Sequence, residues 1–244
     1  RQFDRPGPRY TSSPTADRFV EAFGAEAYRL ALEKRVIGGF SRPLALYVHL
    51  PFCGTICYYC GCNKVVTRDH GRSAKYLRYL AKEIDLVGAA LGKNEDAAQL
   101  HLGGGTPTFL SDAELGQLMD SIRNRFKLPA QSELSIEVDP RTVSPERVAG
   151  LAELGFNRLS VGVQDLNIEV QRAINRIQSA EQIASVIESA QRNGFKSVNV
   201  DLIYGLPRQR LENFTSSLDQ VIGMAPDRIA LYSYAHLPQR FKPQ

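Results

Sequence analysis

From Pro43 onward the chain alternates short runs rich in Val, Ile, Leu and Tyr with longer stretches whose apolar residues recur every three or four positions. The short runs predict strands at Leu44 to Leu50, Gln99 to Leu102, Leu134 to Val138, Leu159 to Val163, Val198 to Tyr204 and Ile229 to Ala235. Between the first two, Leu77, Leu80, Ile84, Val87 and Leu91 keep helical spacing. Ser111 with Glu114, Ser144 with Pro145, and Ser179 with Gln182 read as helix starts, where a side-chain oxygen accepts from a first-turn amide. Gly155 and Gly194 read as helix stops. Strands separated by single helices must run parallel through right-handed crossovers. Six such units in a row predict an α/β fold, a partial (β/α)6 TIM-like barrel of parallel strands.

Residues 1–42 differ in pattern. Pro6, Pro8 and Pro14 mark an irregular amino-terminal arm, and Phe19 to Ile37 predicts a helix that would follow it. The arm would cover one mouth of a barrel occupying residues 43–244, and no separate second domain is read within that span.

Composition narrows the class without naming a partner. A chain that is 43% hydrophobic and 23% charged is globular, neither disordered nor collagen-like. The balance of 30 Lys+Arg against 26 Asp+Glu is too even for a nucleic-acid groove, though it suits a small polyanionic substrate. No stretch approaches the ~18 apolar residues of a membrane helix, and Arg1 to Tyr10 is too polar for a secretory leader, so the expected location is the cytoplasm. Beginning at Arg1 and stopping at Gln244 without a closing element, the chain reads as a fragment.

All four cysteines fall between Cys53 and Cys62. Disulfides within so short a loop would constrain almost nothing elsewhere, so clustered thiols point to metal. Cys53, Cys57 and Cys60 stand at C-x3-C-x2-C spacing on a loop that follows the first strand. Three thiolates so spaced can reach three corners of an iron–sulfur cubane and leave one iron open to a chelating small molecule. Whether Cys62 is a fourth ligand stays open from spacing alone. The plainer alternative is a structural zinc site built from Cys53, Cys57, Cys60 and Cys62, or with His49 or His70 replacing one of them.

In parallel α/β folds side chains converge for chemistry at the carboxyl ends of the strands. Each predicted strand here ends in glycines or polar residues: His49 to Cys62, Gly103-Gly-Gly-Thr-Pro107, Glu137-Val-Asp-Pro140, Gly162-Val-Gln-Asp165, Asp201-Leu-Ile-Tyr-Gly-Leu-Pro207 and Tyr234-Ala-His-Leu-Pro238. The glycine triplet is neither a dinucleotide fingerprint nor a phosphate loop.

These motifs resemble the radical S-adenosylmethionine superfamily. Their wording, with Cys60-Gly-Cys-Asn-Lys64, Phe156-Asn-Arg-Leu-Ser160 and the arm segment Pro8-Arg-Tyr-Thr11, is similar to the family of oxygen-independent coproporphyrinogen III oxidases within it. The resemblance covers nearly the whole chain but not the largely helical carboxyl-terminal domain with which that family continues. Ser13 departs from it, standing where the family's arm often has tyrosine. It implies an oxidoreductase of haem (porphyrin) biosynthesis with a 4Fe-4S cluster held by Cys53, Cys57 and Cys60. There a 5'-deoxyadenosyl radical drives oxidative decarboxylation of coproporphyrinogen III to protoporphyrinogen IX. It further implies two S-adenosylmethionine molecules surrounded by Tyr47, Tyr59, Gly104, Gly105, Thr106, Glu137, Gln164, Arg176, Asp201 and Ala235. The partners expected are the porphyrinogen substrate and an unidentified electron donor and acceptor, with no nucleic acid, no membrane and a monomeric chain.

Each residue also has a plainer reading. Gly103 to Gly105 suit close backbone approach to the cofactor, or simply a tight turn. Glu137 suits ribose hydroxyls, or an ion pair with Arg158. Gln164 and Asp201 suit a nucleoside or an amino group, and Arg176 a carboxylate held bidentately. His49, His101 and His236 receive no role, and Arg1, Arg5 and Arg9 read as a solvated arm. Two alternatives to the oxidase remain: a haem chaperone of similar sequence, against which Cys62 speaks, and a non-catalytic zinc-organised module.

Overall fold

The computed structural model describes residues 18–35, 42–92 and 95–244. The prolines and arginines of the arm, the Pro8–Thr11 segment, Ser13 and the end of the first predicted helix lie outside the described residues. Helix α1 (Ala25–Glu33) comes first. Strand β1 (Leu44–Leu50) runs into the cysteine loop, where β2 (Phe52–Cys53) and β3 (Val65–Val66) pair with each other. Then come α2 (Gly71–Leu91), β4 (Glu95–Gly104), a 3-10 turn at Pro107–Phe109, α3 (Asp112–Arg123), β5 (Phe126–Lys127) and β6 (Glu133–Val138). The chain continues through α4 (Pro145–Glu153), β7 (Arg158–Gln164), α5 (Ile168–Ala173), α6 (Ala180–Arg192), β8 (Ser197–Tyr204), α7 (Leu211–Gly223) and β9 (Arg228–Ser233).

The long strands pair in parallel and in sequence order, β1-β4-β6-β7-β8-β9, as the alternation of strands and helices predicts. The fold is a partial (β/α)6 TIM-like barrel, with β1 and β9 as its two edges among the described residues. Successive strand residues point to opposite faces, and the two faces differ sharply. Leu100 and Leu102 on β4, Leu134, Ile136 and Val138 on β6, Leu159, Val161 and Val163 on β7, and Val198, Val200 and Leu202 on β8 are buried in one continuous core with Leu115, Leu118, Met119 and Ile122 of α3, Val148 and Leu151 of α4, and Ile183, Val186 and Ile187 of α6. The opposite face carries Gln99 and His101, Glu133, Ser135 and Glu137, Arg158 and Ser160, Asn199 and Asp201. Gln99 and Arg158 both donate to Glu133 across that face. The concave side is therefore polar and part-open, unlike a barrel interior filled by branched apolar side chains.

The helix signals read from sequence are in place. Ser111 and Glu114 form a reciprocal capping box, and the Ser144 and Ser179 hydroxyls accept from the Arg147 and Gln182 amides at 3.3 and 3.1 Å. Gly155 and Gly194 end their helices at φ +94° and +77°. The last strand runs Arg228–Ser233 and stops short of Ala235, and two element starts differ by more than two residues. Helix α1 begins at Ala25 rather than Phe19, because Gly24 is extended and breaks the run, leaving Phe19, Val20 and Phe23 exposed. Strand β4 begins at Glu95 although Glu95-Asp96-Ala97-Ala98 lacks β-branched residues; pairing with β1 and β5 recruits it.

Truncating the helix-covered face should unfold the chain, whereas the outer edge should tolerate the same change. Leu102→Ala, at a fully buried position, is expected to cost about 2–5 kcal/mol in urea unfolding. Leu231→Ala on β9, 53% exposed, should cost within about 0.5 kcal/mol. Equal losses at both positions would contradict this contrast between covered core and open edge.

Candidate metal and cofactor site

The cysteine loop is docked on both flanks by backbone hydrogen bonds. On one flank the Gly105 amide donates to Leu50 O at 2.8 Å and the Thr106 amide to Phe52 O at 2.8 Å. Val65 and Thr67 return the chain, donating to Pro51 O at 2.7 Å and Cys53 O at 2.9 Å. This docking accounts for the glycines. A Cβ on Gly105 would lie 2.7 Å from the carbonyl oxygens of Pro51 and Phe52, and one on Gly104, at φ +115°, would lie 2.6 Å from the His49 ring. On the other flank the Tyr58 amide donates to Ile174 O at 2.9 Å, and Asn175, left-handed at φ +54°, donates from its side chain to Ile56 O at 2.7 Å. Tyr59 packs beneath the loop against a small apolar cluster of Val170, Ile174, Ile203 and Leu206.

Between these flanks Cys53, Cys57 and Cys60 line one cavity of about 370 Å³, together with Tyr59, Lys64, Arg68, Gly105, Thr106, Asp139, Arg141 and Arg176. A second lobe of about 170 Å³ shares several of these walls and adds Cys62, Gly104, Glu137, Ser160, Gly162, Gln164 and Asp201. The fold thus brings eleven of the thirteen site residues expected from sequence to one or other lobe. Tyr47 and Ala235 line neither. Tyr47 is 60% exposed, stacks on His101 at 5.7 Å and donates to His49 Nδ1 at 3.2 Å. The exposed Ala235 carbonyl accepts from Gln244 Nε2 at 3.1 Å, and that amide also reaches Tyr59 O at 3.1 Å.

Charge is arranged around the sulfurs. Arg176, only 5% exposed, donates from Nη1 to Asp139 Oδ2 at 2.9 Å and from Nη2 to Gly162 O at 2.6 Å. The carboxylate it grips therefore comes from the chain itself. Arg141 closes on the same Asp139 through Nε and Nη2. Arg141 Nη2 and Arg176 Nη1 each lie 3.6 Å from Cys57 Sγ, and Thr106 Oγ1 lies 3.6 Å from Cys53 Sγ. Burial alone would raise the Asp139 carboxyl; the Arg141 hydrogen bonds and the Arg176 charge outweigh it and hold the group below the usual carboxylate range. Burial raises the Cys53 thiol against the Thr106 hydrogen bond. The Cys60 thiol is lowered by a hydrogen bond from Cys62, with Lys64 adding to the effect, and Cys62 as the donor is raised. Soft sulfurs met by N–H and O–H donors suit thiolate ligands of an iron–sulfur cluster. Among the described residues no three His, Cys, Asp or Glu side chains are grouped to hold a single metal ion, although three thiols share one cavity. Three thiols on one cavity wall, each of two sulfurs met by a donor, fit such a cluster.

The second lobe is lined by acceptors. Glu137 pairs with His101, whose Nε2 donates to Oε1 at 3.0 Å, and accepts the Gly104 amide on Oε2 at 3.3 Å. It does not pair with Arg158, which lies on Glu133. Asp201 accepts from Ser160 at 3.0 Å and Asn199 at 2.8 Å, and burial raises its carboxyl despite both. Gln164 sits at φ +67°, a conformation costing of order 1–3 kcal/mol for a non-glycine residue, at the rim of this lobe. Sequence reasoning missed Arg141, two residues beyond Asp139 and outside the quoted motif. It also gave no role to His101, whose alternation in phase with Gln99 was the available signal.

Residues 47–221 match the sequence profile of the Radical SAM superfamily. Oxygen-independent coproporphyrinogen III oxidase of Pseudomonas aeruginosa is 48% identical, with 100% of this chain and 53% of that protein covered. The enzyme of the same name from Escherichia coli K12 is 47% identical over 100% of this chain and 52% of its own length. The solved Escherichia coli coproporphyrinogen III oxidase, described as a radical SAM enzyme, superposes with a TM-score of 0.91 at 46% identity, over 96% of this chain and 53% of that one. The chain spans about half the length of the curated relatives it matches.

Removing the shared anion should expose how far the site depends on it. Asp139→Asn leaves Arg176 buried beside a neutral partner and is expected to cost about 3–5 kcal/mol at neutral pH. Because the native carboxyl lies below its unfolded value, its contribution is complete above about pH 4 and is lost as pH falls through the lower folded value. The unfolding curves of the two proteins should therefore converge in acid; a gap unchanged from pH 7 to pH 3 would refute the pairing.

Proposed function

The chain belongs to the radical S-adenosylmethionine superfamily, and on that premise we propose that it is the cluster-binding part of an oxygen-independent coproporphyrinogen III oxidase. The carrying observation is one cavity with three loop thiols on its wall, sharing walls with a lobe of carboxylate and amide acceptors. Cys53, Cys57 and Cys60 would hold the 4Fe-4S cluster. When bound, the cluster and S-adenosylmethionine supply the electron and the carbon-centred radical that oxidative decarboxylation requires. Each substrate propionate then loses a hydrogen atom, carbon dioxide and one further electron to become a vinyl group. Two such losses convert coproporphyrinogen III to protoporphyrinogen IX, the further electron of each passing to an acceptor.

The chain's own work is positioning and exclusion. Glu137, oriented by His101 and the Gly104 amide, presents its carboxylate to ribose hydroxyls. Asp201, fixed by Ser160 and Asn199, and Gln164, held left-handed at the rim, bind the nucleoside and amino groups. Thr106, Gly104 and Gly105 supply backbone walls, and Tyr59 seals the floor beneath the loop. Arg176 shapes the boundary between the lobes. Tyr47 and Ala235, outside both lobes, belong in this reading to the side of a second S-adenosylmethionine. Lys64, Arg68 and Arg141 give the thiol-lined lobe a basic rim suited to carboxylate substituents. The proposal places a monomer in the cytoplasm, without nucleic-acid or membrane partners. Among the described residues no helix is long and apolar enough to cross a membrane.

The test uses the full-length enzyme, reconstituted anaerobically and given reductant, S-adenosylmethionine and coproporphyrinogen III. Vinyl product is expected, and Cys57→Ala should abolish both cluster uptake and turnover. Glu137→Gln should weaken S-adenosylmethionine binding about tenfold, the loss of one charge-assisted hydrogen bond. Cofactor cleavage without vinyl product would replace the oxidase by the haem-chaperone reading, and stoichiometric zinc in a colourless protein would end both.

A further inference from the structure

Arg141 stands apart from the other cavity cations. Its Nε donates to both Asp139 oxygens, at 3.0 and 3.2 Å, and its Nη2 donates to Oδ2 at 2.6 Å. That edge-on grip fixes the guanidinium plane, because the Arg141 backbone amide binds the same carboxylate at 3.0 Å. Nη2 carries two hydrogens. One is spent on Asp139, and the other is left to the Cys57 sulfur 3.6 Å away. Arg176 reaches the same sulfur from Nη1 while its Nη2 holds Gly162 O, and it walls the acceptor lobe as well, whereas Arg141 lines only the thiol lobe.

A positive N–H donor on a ligating sulfur stabilises whichever cluster state carries more negative charge, and in a part-buried site that attraction is weakly screened. We propose that Arg141 is a potential-setting residue: locked by Asp139, it donates to the Cys57 sulfur and raises the reduction potential of the cluster bound there. The inference rests on the reading of Cys57 as a cluster ligand. The step concerned is the entry of one electron, from a one-electron reductant, into the oxidised 4Fe-4S unit, with no bond formed or broken.

The experiment compares the reconstituted wild-type chain with Arg141→Gln, Arg141→Lys and Arg228→Gln. The last removes the same charge from an exposed position on β9. Iron and sulfide are assayed first; then midpoints are read from spin-resonance signals during dithionite titration without S-adenosylmethionine. All four proteins should hold about four irons per chain. Arg141→Gln should shift the midpoint to more negative potential, Arg141→Lys should shift it less, and Arg228→Gln should leave it in place. A wild-type midpoint in Arg141→Gln, or an equal shift in Arg228→Gln, overturns the proposal. Should Arg141→Gln fail to load, Arg141→Lys decides it, a wild-type midpoint there being the overturning result. A wild-type chain that takes up no iron and sulfide overturns the ligand assignment, and this inference with it.

Discussion

Stripping water from the Arg176 guanidinium costs several kcal/mol, and the chain offsets that cost with a single carboxylate, Asp139, whose own desolvation is offset by Arg176 and Arg141 together. The three charges come from different places: Asp139 and Arg141 from the end of β6, Arg176 from the turn after α5. Cys57 is the sulfur both guanidinium groups reach. A cysteine loop with almost no regular structure of its own is thereby referred to the strand ends by charge as well as by backbone hydrogen bonds. Neutralising Asp139 would leave Arg176 buried without a counter-charge, whereas neutralising either arginine leaves the other on the carboxylate.

The two faces of the sheet divide the labour. The helix-covered face is apolar and continuous, and its burial is the main source of stability. The concave face carries carboxylates, imidazoles and amides in register across neighbouring strands: His101 beside Ser135, Glu137 beside Ser160, and Gly162 beside Asp201. Such a face could not close into a filled interior without burying polar groups. Opening it toward a ligand is the physical alternative, and the acceptor lobe lies there.

The glycine triplet shows how one feature serves two demands. Its missing side chains let β1 and the loop after it close against the end of β4, with protein atoms occupying the Cβ positions of Gly104 and Gly105. The same backbones then form cavity wall. Of the two readings posed by the sequence, the atoms at these Cβ positions answer to the tight turn, and that turn carries the cysteine loop to the cavity wall.

The alternation of periods 2 and 3.6 along the chain was enough to specify parallel strands in sequence order, and three serines and two glycines marked helix ends, because those signals are local and repeat. The C-x3-C-x2-C spacing specified soft-metal chemistry for the same reason, being carried within one loop. What folding alone decided is which distant groups meet. Glu137 pairs with His101 rather than Arg158, since strand register sets neighbours across a sheet. Arg176 finds its carboxylate in Asp139, 37 positions away. Arg141 acquires significance only beside a sulfur 84 positions earlier. No spacing rule reaches across crossovers of that length; curvature and packing of the sheet make those contacts.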